Sequence, residues 1–343
     1  MKKITAFILV IMLCFSLCAC NSNANNANKT EKEPVLSENS DNISAWTSDV
    51  SVDEFGDVTA NSSKILKTLI SGNFSNTATS DSNLAGYAYI MPDPTGLHFT
   101  VVFKLLEYGN NPVSYFSSDK ITLKTKINNE VEDFSLTGIA PTGDLYLGAG
   151  IDNDDDGDDF IENLYGGNDI KCIINIGSSQ YNFDISSKGF LKTFNENYGL
   201  NSLHDALKVF DSKYRRAAIM YFLKNVNELP PLNTEELSTI LPGYWKSKEI
   251  ETNSYTTLYN YTQDGKIISL GNIINNELKS KDKKEWSYSI EGSLLTRNDG
   301  CKFEYFKITE GYYLVKFYSS WGANYLYIYT QCDANGTAIY NYN

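Results

Sequence analysis

The chain has 343 residues and a formal charge of −13, with 42 acidic side chains against 29 basic ones and only two histidines. A surface this acidic favours solubility and argues against nucleic acid as a partner. The length points to two domains, and the sequence holds no Gly-x-Ser-x-Gly elbow, His-Glu-x-x-His, phosphate loop or Gly-x-Gly-x-x-Gly, so it gives no support to an enzymatic role.

Met1-Lys2-Lys3 precedes an apolar run, Ile4 to Leu17, which ends in Leu17-Cys18-Ala19-Cys20. A basic start, an apolar middle and a small-residue site make a secretory signal peptide. At about 14 residues the run is too short to cross roughly 30 Å of hydrocarbon as a helix. Its closing residues resemble the lipobox of bacterial lipoproteins. That resemblance implies a diacylglyceryl group on the Cys20 thiol, cleavage before Cys20, and a mature chain lipid-anchored to the outer face of the cytoplasmic membrane. Two acyl chains are enough for stable anchoring. Arg215, Arg216 and Arg297 are the only arginines, and Asn, Ile and Lys are abundant. This composition resembles that of an AT-rich, Gram-positive genome. Cys14 and Cys18 leave with the signal, and the remaining Cys172, Cys301 and Cys332 have no metal-ligand spacing. Cys301 and Cys332 either pair or behave as buried thiols.

Residues 21–42 are mainly Asn, Ser, Glu and Lys, with too little apolar surface to repay ordering, and read as a disordered tether. From Trp46 the character changes. Val52-Asp53-Glu54-Phe55-Gly56-Asp57, Ile65 to Ile70 and Gly72-Asn73-Phe74-Ser75-Asn76 resemble a β-rich module of secreted and lipid-anchored Gram-positive proteins. The resemblance implies a fold and no particular activity. Strand signals follow at Leu84 to Met91, Leu97 to Glu107, Ile121 to Ile127, Ile170 to Ile176 and Tyr181 to Ile185, rich in Val, Ile, Phe and Tyr between turn residues. Short strands at this spacing predict a β-sandwich or jelly-roll over 43–198.

Inside that domain lies Asp152-Asn153-Asp154-Asp155-Asp156-Gly157-Asp158-Asp159. Carboxylates at every second position before a glycine are how an EF-hand loop begins, which makes Asp152, Asp154, Asp156 and Asp158 candidate calcium ligands. The full motif fails, because Asn163 stands where the bidentate glutamate belongs and Leu145 to Leu147 reads as strand. The competing reading is a solvated acidic loop at the positive end of a short helix, Asp159 to Tyr165.

Leu203, Ala206, Leu207 and Phe210, then Tyr214, Ala217, Ala218 and Tyr221, recur at three and four. They predict a helical connector over 199–233, which Pro230-Pro231 ends. His204 there reads as structural. Over 234–343 a short helix leads into Leu241-Pro242-Gly243-Tyr244-Trp245, then eight strand candidates separated by Gly-containing turns such as Asp264-Gly265 and Asp299-Gly300. That pattern predicts an up-and-down antiparallel barrel. The helix, the Gly-x-Trp of Gly243 and Trp245, and the meander resemble the lipocalin-like domains of bacterial lipoproteins, and imply that Trp245 plugs one end. The family's late-strand arginine has no counterpart, since no arginine follows Arg297.

The expected organisation is therefore a signal peptide (1–19), lipidated Cys20 with its tether (20–42), a sandwich-like domain, a helical connector and a lipocalin-like barrel. Over half of the 24 tyrosines follow Leu237, and tyrosines can line a cavity as well as pack across strands. The expected function is non-enzymatic: a membrane-anchored lipoprotein whose C-terminal barrel binds a small apolar or amphipathic ligand. The alternative is a surface interaction protein that contacts wall polymer or another protein. No cofactor is expected apart from the calcium reading.

Overall fold

A computed structural model describes residues 45–340 apart from 53–56, 60–61, 94, 111–120, 140–142, 149–153, 253–255 and 276. The chain forms two compact units that divide after Gly199. The lipobox residues Leu17, Cys18, Ala19 and Cys20 lie outside the described residues.

The first unit contains β1 (Trp46–Val50), β2 (Lys64–Ser75), β3 (Ser82–Pro92), β4 (Phe99–Glu107), β5 (Ile121–Ile127), β6 (Glu130–Ile139), β7 (Asp144–Leu147), α1 (Asp154–Tyr165), β8 (Ile170–Ile176), β9 (Ser179–Ile185) and α2 (Phe190–Tyr198). The strands run in the order β1-β2-β3-β4-β7-β6-β5-β8-β9, and β9 pairs back onto β2. Here the expected sandwich is corrected: eight strands close one ring instead of forming two facing sheets. The reason is the length of β2. One of its edges bonds β3 from Leu66 to Phe74. The other serves two partners, β1 along Lys64 to Thr68 and β9 along Gly72 to Ser75. Closure removes edges that a sandwich would expose.

Inside the ring, alternate residues such as Leu66, Ile70, Phe74, Phe103 and Leu105 are buried. The helices complete the core. Phe160 of α1 meets Phe103 edge-on at 5.8 Å, and Phe194 of α2 meets Phe99 at 5.6 Å and Tyr165 at 5.0 Å. Trp46 is buried, donates its indole N–H to the Ser186 carbonyl at 2.7 Å and contacts Phe190.

The second unit begins with α3 (Leu203–Phe210) and α4 (Arg215–Asn225), so the helices expected to connect the domains group with the C-terminal strands. Ser202 caps α3 through the Asp205 amide. Arg215 is 7 % exposed, and its guanidinium donates to the carbonyls of Glu249, Ile250 and Thr252. That fan satisfies a buried charge and fixes α4 to the strands. After a single 3₁₀ turn comes α5 (Thr234–Ile240), started by a capping box in which the Asn233 side chain accepts from the Glu236 amide and the Glu236 carboxylate accepts from the Asn233 amide.

Eight strands follow: β10 (Gly243–Glu249), β11 (Thr256–Tyr261), β12 (Lys266–Ile274), β13 (Glu277–Glu291), β14 (Leu294–Arg297), β15 (Lys302–Thr309), β16 (Tyr312–Tyr318) and β17 (Asn324–Cys332). Each pairs antiparallel with the next, and β10 pairs with β17, giving the expected closed meander. Trp245 is fully buried against Leu237 and Leu241 at the end that α5 covers. Its indole N–H donates to the Leu241 carbonyl at 2.8 Å and its ring meets Tyr313 edge-on. Gly243 has φ +135°, in the region that favours glycine, which lets the chain leave α5 and enter β10 within two residues. Cys172, Cys301 and Cys332 are buried free thiols, so Cys301 and Cys332 do not pair.

Trp245→Ala removes the largest side chain of this end and leaves the Leu241 carbonyl without its donor. We expect a loss of about 3–5 kcal/mol, read as a lower urea midpoint with the far-UV strand signal retained at low denaturant.

Candidate functional site

The buried end and the remaining interior of the C-terminal barrel differ in chemistry. Next to Trp245, Tyr261 and Tyr305 are fully buried and their hydroxyls bond each other at 2.9 Å. Burial first, then the neighbouring tyrosines, push the hydroxyls of Tyr261, Tyr305 and Tyr329 well above their ordinary value. They stay protonated, and the bond between Tyr261 and Tyr305 holds at this end at any physiological pH.

Toward the other end the interior side chains stand apart around a cavity of about 720 Å³. Its aromatic wall is Tyr259, Trp286, Phe303, Phe317, Tyr327 and Tyr329. Its polar wall is Ser247, Thr257, Ser269, Asn272, Lys284 and Arg297. The two sets are interleaved by strand register: Ser247 lies opposite Tyr329, Tyr259 opposite Ser269, and Ser269 opposite Lys284. Tyr259 and Tyr329 stack almost parallel, 6.3 Å between centroids and 5° between planes.

Arg297 is the most constrained of these groups. It is the last residue of β14, and its guanidinium lies 4.2 Å from the Trp286 centroid and 5.7 Å from that of Phe303. Asp299, in the turn that follows, accepts from Nε at 2.8 Å and from Nη2 at 2.5 Å. Two aromatic faces and a bidentate carboxylate therefore fix the fork in one orientation. Burial works against the Arg297 charge, but the bonds and charge of Asp299 outweigh it and raise its pKa. Reciprocally, the Arg297 bond holds the Asp299 carboxyl down at about 2, with the Cys301 amide adding a further bond.

The sequence-derived candidates fall differently. Gly243 and Trp245 lie at the start of β10, Trp245 buried and bonded to the Leu241 carbonyl. From Asp154 onward the acidic run is helix, which is not the expected cation loop, so the calcium placement on Asp154, Asp156 and Asp158 is corrected. Asp152 lies outside the described residues, while α1 begins at Asp154, seven residues of chain that include Asp156 and Asp158 being already helical at Phe160. Alternate residues on a helix point about 200° apart, so Asp156 and Asp158 cannot turn onto one ion as loop residues do. Gly157 is explained by a close approach: a Cβ there would lie 2.2 Å from the Phe99 carbonyl oxygen. Asp158 is 2 % exposed and accepts from the Phe99 amide and the His98 ring, both at 2.9 Å. Among the described residues, His98, Asp155 and Asp158 are the acidic and imidazole groups that do converge, with ligand atoms within 4.8 Å of one another. One Asp158 oxygen takes the first amide of β4 and the other meets the His98 ring just before that strand, so this cluster clasps α1 to the ring. Burial first, and then Asp159 and Asp155, raise the Asp156 carboxyl.

Sequence reasoning pointed to the tyrosines but missed Arg297 and Trp286. A signal was present in the alternation of Lys284, Trp286 and Tyr288, which marks one face of β13 as unusually large and polar-tipped. Compared with protein-family models and with curated proteins, the chain matches none.

Because Asp299 is depressed in the folded chain, its stabilisation is fully present above the unfolded value near 3.8 and is lost as pH falls toward about 2. The urea stability difference between the native chain and Asp299→Asn should therefore be constant from pH 7 to about 5 and shrink steadily below it. A difference independent of pH down to about 2 would show that the charge of Asp299 adds nothing to stability.

Proposed function

We propose that this protein is a lipid-anchored, extracytoplasmic binding protein whose C-terminal barrel holds a small amphipathic ligand without catalysing a reaction on it. The cavity carries this reading. Its volume of about 720 Å³ falls within the roughly 300–1,000 Å³ typical of small-molecule sites. Its wall alternates ring faces, which take apolar surface, with hydroxyl, amide and cationic groups that orient a polar end. A wholly apolar ligand would strip water from those polar groups without replacing their bonds. The plug supports the same reading, because a rigid closed end gives the cavity a fixed floor. Anchoring rests on Leu17-Cys18-Ala19-Cys20 and places the barrel outside the cytoplasmic membrane, with the acyl chains of Cys20 as its attachment.

Two experiments test the two halves. The purified chain, titrated with a dansylated eleven-carbon amphiphile, should show saturable emission at one site. Ser269→Trp, which fills the cavity from a half-buried wall position, should weaken it by at least about tenfold, while Trp321→Ala on the surface should not. Unsaturable emission, or equal affinity in Ser269→Trp, would remove the binding reading. In a Gram-positive host, Cys20→Ala should move the protein from the membrane fraction to the medium and end its labelling by radioactive palmitate. Retention of both would refute the anchor.

A further inference from the structure

We infer that the ligand of the C-terminal barrel is an anion: an amphiphile whose carboxylate or phosphate group rests against Arg297 and Lys284 while its apolar body lies among Phe303, Phe317 and Tyr327. The inference rests on the reading of this cavity as a binding site and specifies the charge of what it takes.

Charge asymmetry is the first ground. Acidic side chains outnumber basic ones by 42 to 29 over the chain, yet the cavity wall, among the described residues, includes two cations and no carboxylate. A wall of one sign inside a protein of the other focuses potential on the cavity. Asp299 offsets one of the two charges from the turn, so the wall keeps a net positive charge through Lys284, which forms no ion pair among the described residues.

Donor geometry is the second ground. A guanidinium carries five N–H donors. Asp299 takes one from Nε and one from Nη2, on one edge of the fork. The opposite edge, between Nη1 and Nη2, has the spacing of a second oxyanion. Trp286 and Phe303 hold the plane of the fork in place, so an arriving anion need not order it first. The Arg297 side chain is 12 % exposed, which limits screening by solvent and strengthens a charge-assisted bond made there. A neutral ligand such as an ester offers those donors only uncharged acceptors, whose bonds are about half as strong as charge-assisted ones. An anion satisfies them with charge-assisted bonds, and Lys284 on the same cavity wall adds a second cation.

The test compares three dansylated eleven-carbon probes on the full chain: the free acid, its methyl ester and the corresponding alkyl phosphate. The two anions should bind at least about tenfold more tightly than the ester, with affinities that fall as salt rises. Whichever anion binds more tightly distinguishes a carboxylate from a phosphate head. Lys284 is exposed, so Lys284→Gln should fold normally and narrow the ratio of acid to ester roughly two- to fivefold. Equal affinity of acid and ester overturns the inference and leaves the cavity reading intact. Failure of all three probes to saturate overturns both. An unchanged ratio in Lys284→Gln overturns the part assigned to Lys284.

Discussion

A buried indole must find an acceptor for its N–H, and in the C-terminal barrel the acceptor available to Trp245 is the Leu241 carbonyl four residues earlier. This one bond sets much of what surrounds it. It holds the chain after α5 in a fixed bend, which Gly243 makes with a positive φ. It seats Leu237 and Leu241 over the same end, so the helix becomes a lid that cannot slide. Thr234 adds a second tether from α5, donating its hydroxyl to the Gly292 carbonyl at the turn between β13 and β14. With one end filled by a large ring and bonded tyrosines, the unfilled interior lies toward the other end, and the cavity inherits its walls from the strands.

Much of the C-terminal barrel was legible because each device in it is local. Eight runs of strand residues are separated by Asp-Gly, Glu-Gly and similar turns, and sequential neighbours then pair in order. The N-terminal ring was less legible for a physical reason. Inward and outward alternation is the same in a sandwich and in a closed barrel, and closure depends on β2 being long enough to serve β1 and β9 along one edge. β6 was missed because Glu130, Glu132 and Asp133 dilute its alternation, although its pairing with β5 runs from Ile121↔Leu136 to Ile127↔Glu130. The Asp run misled because spacing alone describes a loop as well as a helix. Burial of Phe160, Ile161 and Leu164 decides the matter, and carboxylates in a first turn are favoured by the helix dipole.

The arginines show how context divides a residue type. All three fall in the C-terminal unit, and nothing in the sequence separates Arg215 from Arg297. Arg215 donates to the backbone carbonyls of Glu249, Ile250 and Thr252, with the Phe210 ring 4.5 Å away. It is a strut. Arg297 is held from one edge by a neighbour in the next turn, with its aromatic supports contributed by β13 and β15. That difference depends on which strands lie side by side, so it appears only once the barrel is closed.

The placement of β1 has a mechanical consequence. One edge of this short strand bonds β2, and its other edge bonds no strand among the described residues. It is also the first described strand of the chain, so a pull arriving from the N-terminal side loads β1 before any other strand. Such a load would act first on the Ala45 amide, which bonds the Lys188 carbonyl, and then on Trp46, locked by Ser186 and Phe190. The ladder from Trp46↔Thr68 to Val50↔Lys64 would open one pair at a time, like a zip, rather than shear as a block. The eight-strand ring does not depend on β1 for its closure, which the β2–β9 pairing supplies. β1 can thus yield under tension and re-form while the ring behind it stays shut.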